Sequence, residues 1–202
     1  TSAPELPATT LANYCYKGMF SVCTKLTSAP ELPATTLANS CYYGMFSNCT
    51  SLTSAPELPA TTLANYCYQN MFVDCTNLTS APELPATTLS NFCYQNMFYG
   101  CKNLTSATEL PATTLAVYCY QGMFYNCTKL STVTMVASDS EITSKSNCVC
   151  NWLDNAGTDK NVTRTLIVKD EAAYNALESN EYYLPDIWKK GQCTMEYYTP
   201  KP

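Results

Sequence analysis

Apolar and polar positions recur along most of this chain with a period of 26 residues. The segment TSAPELPATTL begins at Thr1 and returns at Thr27, Thr53 and Thr79, and with one change at Thr105. A repeat of this length cannot bury its apolar face alone, so successive copies must stack and cover one another. The pattern therefore predicts a solenoid, which offers a long surface rather than a catalytic cleft.

The second half of each repeat has apolar residues at every fourth position. In the second copy these are Leu37, Cys41, Met45 and Cys49, and the threonines just ahead of them are suitable N-caps. This spacing predicts a short helix in each coil.

The first half of each repeat predicts a short strand followed by a bend. Leu26–Leu32 places threonine and serine between apolar residues, and it is closed by Pro30 and Pro33, which lack a backbone donor. After the fifth copy, Leu130–Met135 alternates more regularly and predicts a sixth strand. One strand and one helix in 26 residues fit the leucine-rich repeats, whose coils span about 20 to 29 residues.

The run MFSNCTSLTSAPELPATTLANYCY, from Met45 to Tyr68, resembles the repeat of the BspA-like leucine-rich repeat family. This resemblance implies an α/β solenoid with short parallel strands on one face and short helices on the other. It covers residues 1–136, as five repeats plus the sixth strand. It also implies a bacterial surface protein of a kind common among gut Bacteroidetes, active in adhesion.

Residues 137–202 differ in composition and are expected to cap the solenoid. They hold both tryptophans and the only arginine. We predict a strand at Thr165–Lys169, a helix from an Asp170 N-cap to Glu178, and a last strand at Gln192–Tyr198. The alternative is a separate active domain, although about 70 residues without a motif leave little room for one.

Composition excludes several classes of function. The 202 residues carry a net charge of -5 with a single arginine, and this argues against nucleic-acid binding, which needs positive charge. No apolar run is long enough to span a membrane. Because the first repeat starts in mid-pattern at Thr1, we expect a secretion signal or anchor upstream, or packing of this end against another molecule. The expected location is secreted or on the outer cell surface.

Ten of the thirteen cysteines fall in two fixed columns of the repeat. Buried thiols that fill the core are one interpretation, since both columns lie among core positions. Disulfides between coils are the other, although an odd total leaves at least one sulfur unpaired. Zinc binding by Cys148, Cys150 and Cys193 has no recognisable ligand spacing, so we expect no metal site.

The chain contains no histidine, and this removes Ser-His and Cys-His nucleophile pairs. One acidic column repeats at coil spacing: Glu5, Glu31, Glu57, Glu83 and Glu109. A catalytic pair needs two unlike environments, whereas this column supplies the same environment five times. We interpret it as a solvated stripe, with binding of a hard cation or a cationic partner as the alternative. No catalytic residue and no cofactor is expected.

Columns that vary between copies are the expected interaction surface, together with an invariant tyrosine column. The candidates are Tyr16, Tyr42, Tyr43, Tyr68, Gln69, Tyr94, Gln95, Tyr99, Tyr120, Gln121 and Tyr125. Tyrosine offers contact area at little entropy cost, so such a surface suits a host protein, a cell-surface protein or a glycan. Packing of the invariant rings between coils is the alternative. The competing functions are a structural spacer that presents another domain and, more remotely, an enzyme in the C-terminal region.

Overall fold

The structure is a computed structural model that describes residues 3–200. Thr1 and Ser2, where the first repeat begins, lie outside the described residues. Each 26-residue copy forms one coil, and the coils stack along a single axis as the repeat predicts. Equivalent residues of adjacent coils bond directly: the Asn39 side chain accepts a hydrogen bond of 3.2 Å from the backbone N–H of Asn65, one coil further on.

The predicted helix in the second half of each repeat is wrong, because residues 39–48 and their equivalents form a series of tight turns. Alternate backbone N–H groups donate in two directions. The Tyr43 N–H donates back to the Ser40 carbonyl at 3.2 Å, whereas the Tyr42 N–H donates to the Cys67 carbonyl of the next coil at 3.0 Å. A helix bonds its interior N–H groups within itself. These turns instead use half of them to join coils.

Positive backbone φ angles at every fourth residue interrupt the helix. The φ angle is 52° at Ser40, 58° at Gly44 and 61° at Asn48. Residues in the left-handed region cannot continue a right-handed helix, and glycine and asparagine tolerate that region best. A spacing of four therefore places Cys41 and Met45 in the core, as a helix would, but the backbone between them forms turns.

Regular strands on the other side of the coils begin only where a proline is absent. In that segment the fourth copy is joined to the fifth by an isolated bridge, Ser80 with Ser106, and further along the repeat Thr36 bridges to Thr62. The fifth copy has Thr108 where the first four have proline, and strand β1, Ser106–Leu110, forms around it. Proline has no N–H to donate to a ladder. Among the described residues, the predicted strand of the repeat is thus a true strand only in the fifth copy.

Four parallel strands form the sheet, in the order β1–β2–β3–β4. Strand β2 is Thr132–Met135, β3 is Thr165–Val168 and β4 is Thr194–Tyr197. The sixth strand and both strands predicted near the C-terminus are confirmed. The sheet thus runs on from the fifth repeat to residue 197.

Two short helices lie between the last strands. Helix α1, Asp139–Ser144, was not predicted, and it follows β2. Helix α2, Glu171–Glu178, confirms the predicted helix, and the Asp170 carboxylate caps it by accepting a hydrogen bond of 2.9 Å from the Ala173 N–H. A 3-10 helix, Asp186–Trp188, precedes β4. None of the helices within residues 3–200 has the length and apolar content needed to cross a membrane.

The core is a set of columns, each made of one residue type from every coil. The rings of the phenylalanine column stack with centroids 5.6 to 5.7 Å apart: Phe20, Phe46, Phe72, Phe98 and Phe124. Leucine, methionine and cysteine columns beside them are buried in coils two to five, whereas Met19, Cys15 and Cys23 of the first coil are exposed. Each buried large side chain stabilises the fold by about 1.5 to 3 kcal/mol, so every interior coil depends on both neighbours.

Candidate interaction face

The turn segments present their variable side chains on one side of the solenoid, which we call the turn face. Three outward columns form it, and all their members except Ser40 are exposed or half-buried. The first column contains Tyr14, Ser40, Tyr66, Phe92 and Tyr118. The second contains Lys17, Tyr43, Gln69, Gln95 and Gln121. The third contains Ser21, Ser47, Val73, Tyr99 and Tyr125.

Tyr66, Phe92 and Tyr118 form an aromatic stripe along the first column. Their ring centroids lie 4.6 and 4.9 Å apart, and Tyr66 remains 38% exposed. All three residues have positive φ angles, of 60°, 59° and 56°. Such angles are unusual for bulky side chains. This stripe was not predicted, although an aromatic residue precedes the first cysteine of the repeat in four copies of five.

Side-chain amides form a ladder in the second column, beside the aromatic stripe. The Gln69 amide donates to Gln95, which donates to Gln121 in the next coil. The Asn70 amide donates a hydrogen bond of 3.1 Å to the Tyr43 hydroxyl. The predicted residues of this column therefore lie together on the turn face as one polar strip.

Tyr99 and Tyr125 form a stacked pair in the third column of the turn face. Their rings stack with centroids 4.8 Å apart and planes 3° apart. Both residues are half-buried. With the amide ladder and the aromatic stripe, they give coils three to five an unbroken surface of rings and amides.

The invariant tyrosine column lies inside the solenoid, so this part of the predicted surface is corrected. Four of its members are each only 1% exposed: Tyr42, Tyr68, Tyr94 and Tyr120. Their rings stack at 5.7 to 5.9 Å, and burial raises the pKa of their phenols. Tyr16, in the first coil, is half-buried. These rings pack between coils, and a partner reaches only the outward columns.

The acidic column lies away from the turn face, beside the proline segments. Four of its carboxylates are exposed: Glu5, Glu31, Glu57 and Glu83. Two members of the column have partners, since Glu83 accepts a hydrogen bond of 2.9 Å from Thr108 and the half-buried Glu109 accepts one of 2.8 Å from Tyr198. Proline and leucine residues of adjacent coils form shallow grooves of about 330 to 400 Å³ along this side. Nowhere in residues 3–200 do three or more Cys, Asp or Glu side chains gather in a group that could hold a metal ion.

The cysteines form no disulfide bonds among the described residues, and most of their thiols are buried. All thirteen cysteines are free thiols, and the buried members of the second cysteine column donate to the coil before them, as Cys49 does to the Phe20 carbonyl at 3.1 Å. Burial raises the pKa of Cys41 to about 11, which keeps its thiol protonated near neutral pH. Cys15 and Cys23, in the first coil, are exposed.

Comparison with known proteins identifies the repeat. The model of the BspA-type leucine-rich repeat region, in six copies, matches residues 5–121 and 69–177. This confirms the predicted α/β leucine-rich repeat class and the resemblance on which it rested. Repeats of this type suggest a role in protein interaction, are typically not enzymes, and generally belong to surface or secreted proteins. No curated protein and no solved structure shows a significant match to the chain.

Proposed function

Because this chain belongs to the BspA-type leucine-rich repeat family, we propose that it is an interaction protein that binds a protein or a glycan through its turn face. One observation carries the proposal: the inward columns barely change between coils, whereas the outward columns change from copy to copy. Packing fixes the inward residues, so variation on the outer side is free to suit a partner.

The chemistry of the turn face supports recognition. Tyr66, Phe92 and Tyr118 stack on one another, and the two tyrosines add a hydroxyl group to the apolar rings. Tyrosine combines apolar area with a polar tip and loses little entropy when it is held. The neighbouring glutamine amides add donors and acceptors, which suits a partner with both apolar and polar groups.

We propose no catalysis for this chain. It lacks histidine, its interior thiols have raised pKa values, and its exposed carboxylates repeat in similar surroundings. An enzyme in the C-terminal region is the remote alternative. Arg164, a natural candidate for an anion site there, instead donates hydrogen bonds to the carbonyls of Gly157 and Ile187 at 2.8 and 2.9 Å.

Residues 137–202 are proposed to cap the solenoid. Support comes from the two tryptophans, Trp152 and Trp188, which are fully buried. Their indole N–H groups donate to the carbonyls of Tyr183 and Ala156 at 2.6 and 3.0 Å. Large buried rings with satisfied polar atoms are what a cap over an exposed core requires.

We propose a location outside the cell, secreted or on the outer surface of a bacterium such as a member of the Bacteroidetes. A surface solvated mainly by threonine, serine, asparagine and tyrosine, with 13% charged residues, is compatible with adhesion. Adhesion to a host protein, another cell or a glycan is the specific role that we favour.

A structural spacer is the second candidate, and one observation favours it. The side of the coils that carries the acidic column keeps the same threonines, prolines and glutamates from copy to copy, with few exceptions. A binding face usually diversifies, whereas a spacer need not. On this view the chain would hold another domain away from the cell.

The two candidates differ in what happens when the aromatic stripe is removed. We would replace Tyr66, Phe92 and Tyr118 by serine, which the same column carries naturally at Ser40. Wild type and variant would be tested on panels of extracellular matrix proteins and glycans. An interaction protein loses at least tenfold in affinity for its best ligand, because buried aromatic anchors dominate binding energies.

The matched control replaces Glu5, Glu31 and Glu57 by glutamine, because this changes three exposed residues on the other side of the coils. Equal loss in both triple variants would refute the turn face as the binding surface. Absence of any ligand on either panel would favour the spacer. Circular dichroism of each variant checks that the coils remain folded.

A further inference from the structure

The turn face is interrupted in coils one and two by a groove of about 560 Å³. Its floor is formed by Gly18 and Gly44, and Ser21 and Ser47 lie beside them. A Cβ atom built on Gly44 meets nothing within 4 Å, because the equivalent residue of the coil before it, Gly18, has no side chain. In coil five the equivalent Gly122 is covered by the Asn96 side chain of the coil before it. Small residues at Gly18, Gly44 and Ser47 therefore keep the groove between coils one and two open.

Three large side chains form the wall of this groove. The Lys17 ammonium lies 4.8 Å from the ring centre of Tyr43 and 5.5 Å from that of Tyr14. Among the described residues, no carboxylate pairs with Lys17, and the only ion pair found is Lys189 with Asp186. Lys17 thus brings an available positive charge to a surface of an acidic chain.

Hydroxyl groups of tyrosine and serine line the groove, whereas the glycine carbonyls of its floor are already bonded. Tyr43 accepts from Asn70, so its own hydroxyl proton is available. Ser47 likewise accepts from Asn48 at 3.0 Å and keeps its proton for another partner. The Gly18 and Gly44 carbonyls accept from the Ser21 and Ser47 N–H groups. No acidic residue is among the eight described residues that line the groove.

We propose that this groove binds an acidic saccharide of two or three sugar units, with a sugar carboxylate at Lys17. The inference rests on the proposed interaction function and names one ligand class for it. A uronic-acid unit offers a carboxylate to the ammonium, oxygen atoms to Tyr43 and Ser47, and an apolar ring face to Tyr14. The groove volume lies within the range of small-ligand sites, about 300 to 1,000 Å³.

An extended acidic peptide fits this groove less well. Its backbone N–H groups need acceptors, and the glycine carbonyls of the floor are already bonded. Every ring and hydroxyl oxygen of a saccharide can accept a hydrogen bond instead. A saccharide has no backbone N–H groups to leave unpaired, and its hydroxyl groups can both donate to and accept from the hydroxyl groups that line the groove.

The test uses calorimetric titration of the whole chain with trigalacturonic acid, its methyl ester and a tri-glutamate peptide at low ionic strength. We expect the acid to bind at least tenfold more tightly than the ester, because a charge-assisted hydrogen bond is lost in the ester. The peptide should bind at least tenfold more weakly than the acid. Added salt should weaken binding of the acid and leave the ester unchanged.

Variants separate the parts of the site. Lys17→Gln should reduce affinity for the acid to that for the ester. Gly44→Asn and Ser47→Tyr fill the groove with residues that the same columns carry at Asn70 and Tyr99, so they should fold and should abolish binding of both forms. Lys102→Gln removes an exposed lysine outside the groove and should have no effect.

The inference is overturned if no saccharide binds, if acid and ester bind equally, if the peptide matches the acid, or if Lys17→Gln leaves binding unchanged. If the chain does not bind the saccharide but binds another ligand that requires Tyr66, Phe92 and Tyr118, only this inference is overturned and the proposed interaction function stands. Lys17-dependent saccharide binding that survives loss of those three rings supports the groove and contradicts the aromatic stripe as the binding surface.

Discussion

The Thr108 hydroxyl donates a hydrogen bond of 2.9 Å to the Glu83 carboxylate, at the position where four earlier coils carry proline. Strand β1 forms around this residue. Of the five copies, only the one without proline at this position has a strand that joins the sheet.

Replacing Thr108 by proline should lower the free energy of unfolding by about 1 to 2 kcal/mol, because it removes the hydroxyl bond to Glu83 and fixes φ inside β1. The fold should persist, since the earlier coils accommodate proline. Urea unfolding measures the change. Thr108→Val, which removes only the hydroxyl bond, should cost less, and an equal cost for both would show that proline has no backbone effect on β1.

Gly157 lies against the backbone, so adding a side chain there should be costly. A Cβ atom on Gly157 would lie 2.7 Å from the Leu130 carbonyl oxygen and 3.0 Å from Arg164. Gly157→Ala should destabilise by about 3 kcal/mol, from a left-handed conformation and an overpacked contact together. Gly44→Ala has a similar positive φ angle in open space and should cost only about 1 to 2 kcal/mol. Equal values in denaturant titrations would contradict the close contact.

Tyr42 and Tyr174 should respond oppositely to removal of their hydroxyls. Within the described residues, the buried Tyr42 hydroxyl has no hydrogen-bond partner. Tyr42→Phe should therefore stabilise the chain by about 0.5 to 1 kcal/mol. The Tyr174 hydroxyl donates to Glu178 at 2.7 Å and accepts from the Lys190 N–H at 2.9 Å, so Tyr174→Phe should cost about 1 kcal/mol. Thermal melts should show a higher melting temperature for Tyr42→Phe and a lower one for Tyr174→Phe than for the wild type.

Stability should fall at alkaline pH because of the buried thiols. Burial raises the pKa of Cys49 to about 11 and that of Cys75 to about 12, from 9.0. A thiol whose pKa is higher in the folded state contributes stability that is fully present below its unfolded-state pKa. This contribution is lost as the pH rises from the unfolded-state pKa through the folded-state pKa. Unfolding free energy should thus be steady below pH 9 and fall between about pH 9 and 12, by about 1.4 kcal/mol per pH unit for each such thiol. A flat profile over that window would contradict thiol burial.

The repeat itself was predictable because its period and its apolar columns depend on sequence alone. The backbone between those columns was not, since a spacing of four satisfies both a helix and a series of turns. Asn70 and Gly44 share one column, and that was the available clue, because glycine and asparagine favour positive φ angles. Weighing that column would have favoured turns over the predicted helix.

The candidate site was predicted only in part. Variable columns such as that of Tyr43 and Gln69 do lie outside, because a position that faces no core residue can change. An invariant tyrosine such as Tyr68 is compatible with an exposed column that binds a partner or with a buried column that packs between coils. Only the geometry of the coils shows that it is buried. The groove at Gly18 depends on missing side chains in two adjacent coils. A pattern within one repeat cannot reveal it.

The most direct test of the account is a footprint of the turn face by hydrogen–deuterium exchange, with and without the tightest ligand from the matrix and glycan panels. The account predicts slower exchange in the turn segments, residues 39–48, 65–74 and 91–100, which carry the outward columns. Exchange in the proline segments around Glu31 and Glu57 should stay unchanged. Slower exchange at those proline segments, with the turn segments unaffected, would contradict the account.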